Sequence, residues 1–273
     1  MRNVSGSGAA AHPSGATGWP GVRGKRVLVT GGSRGLGERI VRLLAAEGAR
    51  VATCARDPHG LAALAGSLDT PLFTQPLDVT EPGRLEAFVA ASTKRFGGLD
   101  GVVACAGGSR GGAFEEADAA DWTATWEVNV GHTVRLVRAA VPHLRAAGGG
   151  SVVVISSISG WKPGPPVQYG VAKSAQIHLA ASLARELGPD AIRVNAVSPG
   201  SMLIPGKRWD RMRREDPEAF AEFVAAEFPG GEPVTPDEVA RVVAFLLSDW
   251  SSGISGAHVP VDRAQNAPSP DGY

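Results

Sequence analysis

Tyr169 and Lys173, four residues apart, are the pair in this sequence best suited to moving a proton. On a helix they share one face, about one turn apart. A phenol with a reference pKa of about 10 is a slow acid or base at neutral pH. A neighbouring ammonium stabilises the phenolate and is expected to draw that pKa down towards the working range. Upstream, Ile155-Ser156-Ser157-Ile158-Ser159-Gly160 supplies hydroxyls that can donate to an oxygen on which negative charge builds. A second group of residues suits an anion. Thr30-Gly31-Gly32-Ser33-Arg34-Gly35-Leu36-Gly37 lies between a short apolar run and an amphipathic segment. Such a turn brings backbone close to a pyrophosphate, which a Cβ would obstruct, and the helix that follows offers free N–H groups. An NAD site wants a carboxylate at the end of the second strand for the ribose 2′-hydroxyl; here Ala55 is followed by Arg56. Arg34 and Arg56 suit the 2′-phosphate of NADP(H), which a guanidinium grips through paired hydrogen bonds.

The elements that must position these groups alternate along the chain. Apolar runs at 26–29, 49–54, 99–104, 151–156, 192–197 and 257–261 read as strands, the first without polar alternation, as a strand buried on both faces would show. Between them lie helical patterns. The first carries Ile40, Val41, Leu43 and Leu44; the second is capped by Asp57 with Pro58 at its first position. Thr80-Glu81-Pro82 is expected to open the third, residues 122–147 to form one long helix, and 168–187 another; Thr235-Pro236-Asp237-Glu238 caps the last. Repeated strand–helix alternation predicts an α/β fold, a single doubly wound domain with a parallel sheet and helices on both faces. The domain is expected over residues 21–264, after a Gly/Ala/Ser-rich tail (1–20) expected to be disordered and before a C-terminal tail (265–273).

Composition excludes several other classes. Lys+Arg and Asp+Glu are both 27, so no net charge attracts nucleic acid or an anionic membrane. No apolar stretch is long enough to span a bilayer, and residues 1–20 lack the apolar core of a signal peptide; a cytoplasmic protein is expected. The six histidines and two cysteines show no metal-ligand spacing, so no metal is expected, and Cys54 and Cys105 read as buried free thiols.

The glycine spacing and the Tyr-x-x-x-Lys pair together resemble the short-chain dehydrogenase/reductase family over residues 22–264, including members that reduce 3-oxoacyl groups on acyl carrier protein. The resemblance implies a seven-stranded sheet and a cofactor site of Gly31, Ser33, Arg34, Gly35, Leu36, Gly37, Arg56, Asp78, Val79, Ala106, Gly107, Tyr169, Lys173, Pro199 and Gly200. Asp78-Val79 matches the pair that contacts adenine, and Pro199-Gly200 the turn beside the nicotinamide. It further implies a catalytic set of Asn129, Ser157, Tyr169 and Lys173, in which Asn129 bends a helix and holds a water linking the lysine to solvent. The pattern Ser-Ser-x-x-Gly selects Ser157, whereas counting back from Tyr169 lands on Ser156. A one-residue deletion in loop 161–168 accounts for the difference, and Ser157 is preferred. The chain departs from the family at Ala104 and Cys105, which replace two asparagines, and at Ile204, where a threonine usually helps hold the carboxamide.

The activity implied is reduction of a small-molecule ketone by NADPH, with alcohol oxidation or 3-oxoacyl thioester reduction as alternatives and a non-catalytic NADP(H) sensor as the rival of another class. Gly148 and Asp190 stand where thioester reductases usually carry arginines, which favours a free ketone, and Trp161 beside the catalytic loop suggests a cyclic or aromatic one. Residues 202–231 correspond to the substrate lid. Arg208, Arg211, Arg213 and Arg214 could form a basic mouth for an acidic or carrier-bound substrate, but the favoured reading has the phenylalanines facing inward, with Glu215, Asp216, Glu218 and Glu222 pairing the arginines. The helices carrying Asn129 and Tyr169 form the family's usual interface, so a homo-oligomer, tetramer or dimer, is implied.

Overall fold

A computed structural model describes residues 21–266, and the expectations for 1–20 and for 267–273 lie outside them. Seven strands form one sheet: β1 (Arg26–Thr30), β2 (Arg50–Ala55), β3 (Phe73–Pro76), β4 (Gly101–Ala104), β5 (Gly150–Ile155), β6 (Ile192–Pro199) and β7 (His258–Val261). Their order is β3-β2-β1-β4-β5-β6-β7 and every pairing is parallel. The unbroken apolar runs follow from burial on both faces. Leu28, Val102, Ala104, Val152 and Val154 point into one core, while Val27, Val29, Val103, Val153 and Ile155 point into the other.

Helices α1 (Gly35–Ala46), α2 (Pro58–Gly66) and α3 (Arg84–Phe96) follow the first three strands. After β4 come α4 (Ala119–Trp126) and α5 (His132–Ala146), and after β5 comes α6 (Val167–Leu187). Beyond β6 lie α7 (Arg208–Glu215), α8 (Pro217–Glu227) and α9 (Pro236–Leu247). α1 and α9 cover the core of Val27 and Val29, and α3, α5 and α6 cover the other. Two caps form as expected: the Asp57 carboxylate accepts from His59 N (3.0 Å), and Thr235 and Glu238 close a reciprocal capping box.

Four expectations differ. The strand β3 escapes the sequence pattern because Phe-Thr-Gln-Pro is a four-residue edge strand, half-buried and without an apolar run. Pro82 does not open α3. Thr80 is held by Asp78 Oδ1 through both its N (2.9 Å) and its Oγ1 (2.8 Å), Gly83 reverses the chain at φ 76°, and the helix begins at Arg84. The long helix at 122–147 is interrupted by a π-helical turn, Glu127–Gly131. The domain also runs past residue 264, because Gln265 is buried and its side chain binds Ser201 N (2.7 Å).

Candidate active site

The carboxyl ends of β1, β4, β5 and β6 meet along one edge, and the order reverses direction between β1 and β4. In open α/β sheets that switch point is where ligands bind. The glycine turn sits there. Gly31 adopts φ +79°, and a Cβ on it would stand 3.0 Å from Ala106 Cα. A Cβ on Gly37 would fall 2.2 Å from Gly31 O, so the first turn of α1 rides directly on the loop. This bare backbone at a helix N-terminus fits a pyrophosphate. Thr30 ties the neighbouring strand end to it. Its Oγ1 accepts from Cys105 N (3.0 Å) and Ala106 N (3.1 Å), the backbone amides just past β4.

Arg34 and Arg56 are exposed beside this turn, and Arg56 lies 3.9 Å from Asp78. The lid brings Lys207 and Arg211 near the same place; the sequence offered Arg211 as part of a basic mouth, but nothing in the order of residues joins 207 to 34. Burial holds the Lys207 ammonium below the usual lysine range, and the charges of Arg34, Arg211 and Arg56 push it further the same way. Ile204, at the foot of the lid, packs on the glycine turn, its Cγ2 3.2 Å from where a Gly35 Cβ would sit.

The lid's ion pairs are not the expected ones. Asp210 takes both Arg213 and Arg214 (3.2 and 3.3 Å), and Asp216 caps α8 through Ala219 N (3.0 Å). Arg208 lies over the Trp209 ring, Trp209 stacks on Phe223 at 4.0 Å, and Phe228 is buried. Glu227 reaches across to Lys162, in the loop before α6, and both bind Gln265.

At the end of β5 the two serines separate. Ser156 is buried, and its hydroxyl donates to Lys173 O (2.8 Å). The Ser157 hydroxyl lies beside that of Tyr169. Tyr169 is partly buried, and Lys173 Nζ stands 5.5 Å from its ring centroid. The tyrosine pKa differs from expectation. Burial raises it above the usual value, Ser157 pulls it back, and the nearby Cys105 adds to the rise. Burial also draws the Lys173 ammonium down, to about 7, with Cys105 opposing. Its Nζ donates to Ile155 O (2.9 Å) and Gln176 Oε1 (2.8 Å).

Asn129 is fully buried in the π-helical turn. Its amide donates to Thr125 O and Gly108 O, each at 2.7 Å, so the bend is fixed by its own side chain. A Cβ on Gly107 would lie 2.7 Å from Asn129 Oδ1. The backbone carbonyl of Asn129 is also engaged. It accepts from Thr133 Oγ1 (2.7 Å) and from Gln176 Nε2 (3.1 Å). Beneath it lies His132, fully buried, with Nε2 3.3 Å from Thr30 Oγ1. Burial drives the His132 pKa down to about 3, and Lys173 reinforces the effect. Neither Gln176 nor His132 stands out in the sequence: each occupies a helical position that periodicity assigns to core. Cys105, at the end of β4, is pushed up to about 12 by burial and stays a neutral thiol. Among the described residues, no group of three or more His, Cys, Asp or Glu could hold a metal, and no helix is long and apolar enough to cross a membrane.

A doubly wound parallel sheet with a glycine turn at its switch point defines a Rossmann-type nucleotide-binding fold. The family model described as enoyl-(acyl carrier protein) reductase matches residues 31–263. Isoepoxydon dehydrogenase of Penicillium expansum is 34% identical over 89% of this chain and 95% of its own length. The levodione reductase crystal structure shares 32% identity, with a TM-score of 0.83 over 90% of this chain and 100% of that one. L-sorbose reductase from Gluconobacter frateurii, solved with NADPH and L-sorbose, shares 31% identity, with a TM-score of 0.82 over 88% of this chain and 96% of that one. The chain belongs to the short-chain dehydrogenase/reductase family. It is an oxidoreductase acting on alcohol and carbonyl groups.

Proposed function

We propose that the protein reduces a small-molecule ketone to a secondary alcohol with NADPH, using Ser157, Tyr169 and Lys173. The observation that carries this reading is the grouping of the Ser157 hydroxyl, the Tyr169 hydroxyl and the Lys173 ammonium at one strand end. Ser156 is turned away into a backbone bond. Gly31, Gly35 and Gly37 would hold the pyrophosphate; Arg34 and Arg56, joined by Lys207 and Arg211 from the lid, would hold the 2′-phosphate. When bound, the reduced nicotinamide supplies a hydride.

The chain's own groups do the rest. Ser157 donates to the carbonyl oxygen as negative charge develops there. Tyr169 Oη, which burial keeps protonated at neutral pH, delivers a proton to that oxygen, so the carbonyl gains one hydride and one proton overall. Lys173 Nζ returns a proton to the phenolate. With a pKa drawn down to about 7 it gives one up readily near neutrality. The stacked pair Trp209–Phe223 on the lid, together with Trp161 edge-on to His258 at 5.1 Å, supports a cyclic or aromatic ketone. Trp126, Val134, Val167 and Val171, exposed on α4 to α6, support assembly with further copies through that face.

The test is consumption of NADPH and of NADH against cyclic, aromatic and 3-oxoacyl ketones, with Tyr169→Phe in parallel. Wild-type turnover favouring NADPH and falling about a hundredfold or more in the variant is expected. A variant as active as wild type, or a preference for NADH, overturns the assignment.

A further inference from the structure

Gln176 lies three residues beyond Lys173 on α6, on the same face, and is fully buried. Burying a primary amide is unfavourable unless its polar atoms are satisfied. Here they are. Oε1 accepts from Lys173 Nζ (2.8 Å), while Nε2 donates to Asn129 O (3.1 Å) and Thr133 Oγ1 (3.0 Å). The direction of the amide is fixed by chemistry. An ammonium can only donate and a carbonyl can only accept, so the oxygen must face Lys173 and the nitrogen Asn129. The Thr133 hydroxyl follows suit. It gives its proton to Asn129 O (2.7 Å) and so accepts from Gln176.

We propose that Gln176 is the positioning residue of the active site: its amide fixes the Lys173 ammonium and occupies the Asn129 carbonyl, so the π-helical turn holds the lysine through a side chain of α6. This goes beyond the reading of Lys173 as the proton source for Tyr169, and rests on it. Two of the three ammonium hydrogens are committed, to Ile155 O and to Gln176, which leaves one for a further acceptor. An amide does not ionise, so Gln176 orients the lysine without passing a proton through itself. The titratable groups facing Lys173 are Cys105 at the end of β4, His132 on α5 and Tyr169 on α6, and burial keeps the first two neutral. Among the described residues, Gln176 is therefore the side chain whose charge can be altered to retune the lysine from its own contact.

The test uses the full chain with 15N- and 13C-labelled lysine. Its five lysines give few signals, and Lys173→Met assigns the one of interest. Gln176→Glu is expected to raise the Lys173 pKa by about one unit or more, because the new carboxylate favours the ammonium. Gln176→Leu removes an acceptor and is expected to lower the pKa. Thr133→Val, which keeps the volume and loosens the amide, serves if Gln176→Leu does not fold, and is expected to shift it the same way by less. The pH profile of kcat is expected to follow these shifts, with kcat of Gln176→Leu down about tenfold at neutral pH and the KM for ketone unchanged. A role in packing alone predicts altered stability with an unmoved lysine titration and pH profile, and that result overturns the proposal. Resonance needs no substrate. A lysine titration that moves in the Gln176 variants, with no ketone turnover by wild type, therefore removes the reductase reading and upholds the hold of Gln176 on Lys173.

Discussion

Protonating His132 should loosen the protein from within, and the effect can be sized. The ring is fully buried, and its pKa falls from 6.5 to about 3 through burial first and the charge of Lys173 second. The carbonyls of Val128 and Asn129 favour the charged ring but do not offset burial. Because the folded-state pKa is depressed, the unfolded chain binds the proton first as pH falls. Stability is thus undiminished above about pH 6.5 and is lost progressively down towards pH 3. Between pH 7 and pH 5 this one group removes about 2 kcal/mol, or about 4–8 °C in Tm for a domain of this size. The perturbation is His132→Gln, close in volume and neutral throughout. Thermal unfolding of both proteins at the two pH values cancels every other titrating group, including Glu238, which Arg263 and Thr235 hold down to about 2. The variant is less stable than wild type at pH 7 and closes that gap by about 2 kcal/mol at pH 5. An equal gap at both pH values would refute the buried neutral ring.

Two further outcomes are expected. Ser157→Ala should lower kcat about a hundredfold with little change in Tm, whereas Ser156→Ala, which removes a buried hydrogen bond to the helical Lys173 carbonyl, should cost about 0.5–1.5 kcal/mol of stability and leave kcat within a few fold. Steady-state kinetics beside thermal melts separate them, and the reverse pattern would make Ser156 the catalytic serine. Gly37→Ala sets a Cβ 2.2 Å from Gly31 O, so the turn must move. Stability should fall by about 1–3 kcal/mol, and fluorescence titration should show weaker NADPH binding; unchanged affinity would mean the turn does not cradle the cofactor.

What could be read from the sequence was what short stretches encode. Six of the seven strands showed as short apolar runs, most plainly those in the middle of the sheet, which are buried on both faces, while the edge strand β7 is only half-buried. The seventh, Phe73–Pro76, is a half-buried edge whose residues follow no period. The glycine turn and the Tyr169–Lys173 pair are local motifs and so were visible. The roles of Lys207, His132 and Gln176 arise from contacts between distant segments. Lys207 looks like any surface lysine until the lid lays it near Arg34. Gln176 looks like a helical filler until Asn129 and Lys173 converge on its two ends. The tyrosine pKa was misjudged for a related reason: helical spacing supplies the neighbouring charge but says nothing of the burial that weakens it.

The fastening of the lid has a kinetic consequence. Glu227, at the end of α8, is gripped by Lys162 and by Gln265, while Gln265 also holds Ser201 at the lid's root. Three segments, the loop before α6, the last turn of α8 and the stretch after β7, thus share one clasp. Swinging α8 outward breaks the charged pair and the amide contact together, so opening is a discrete unlatching event with its own barrier. Loss of the Gln265 side chain would loosen two of those segments at once.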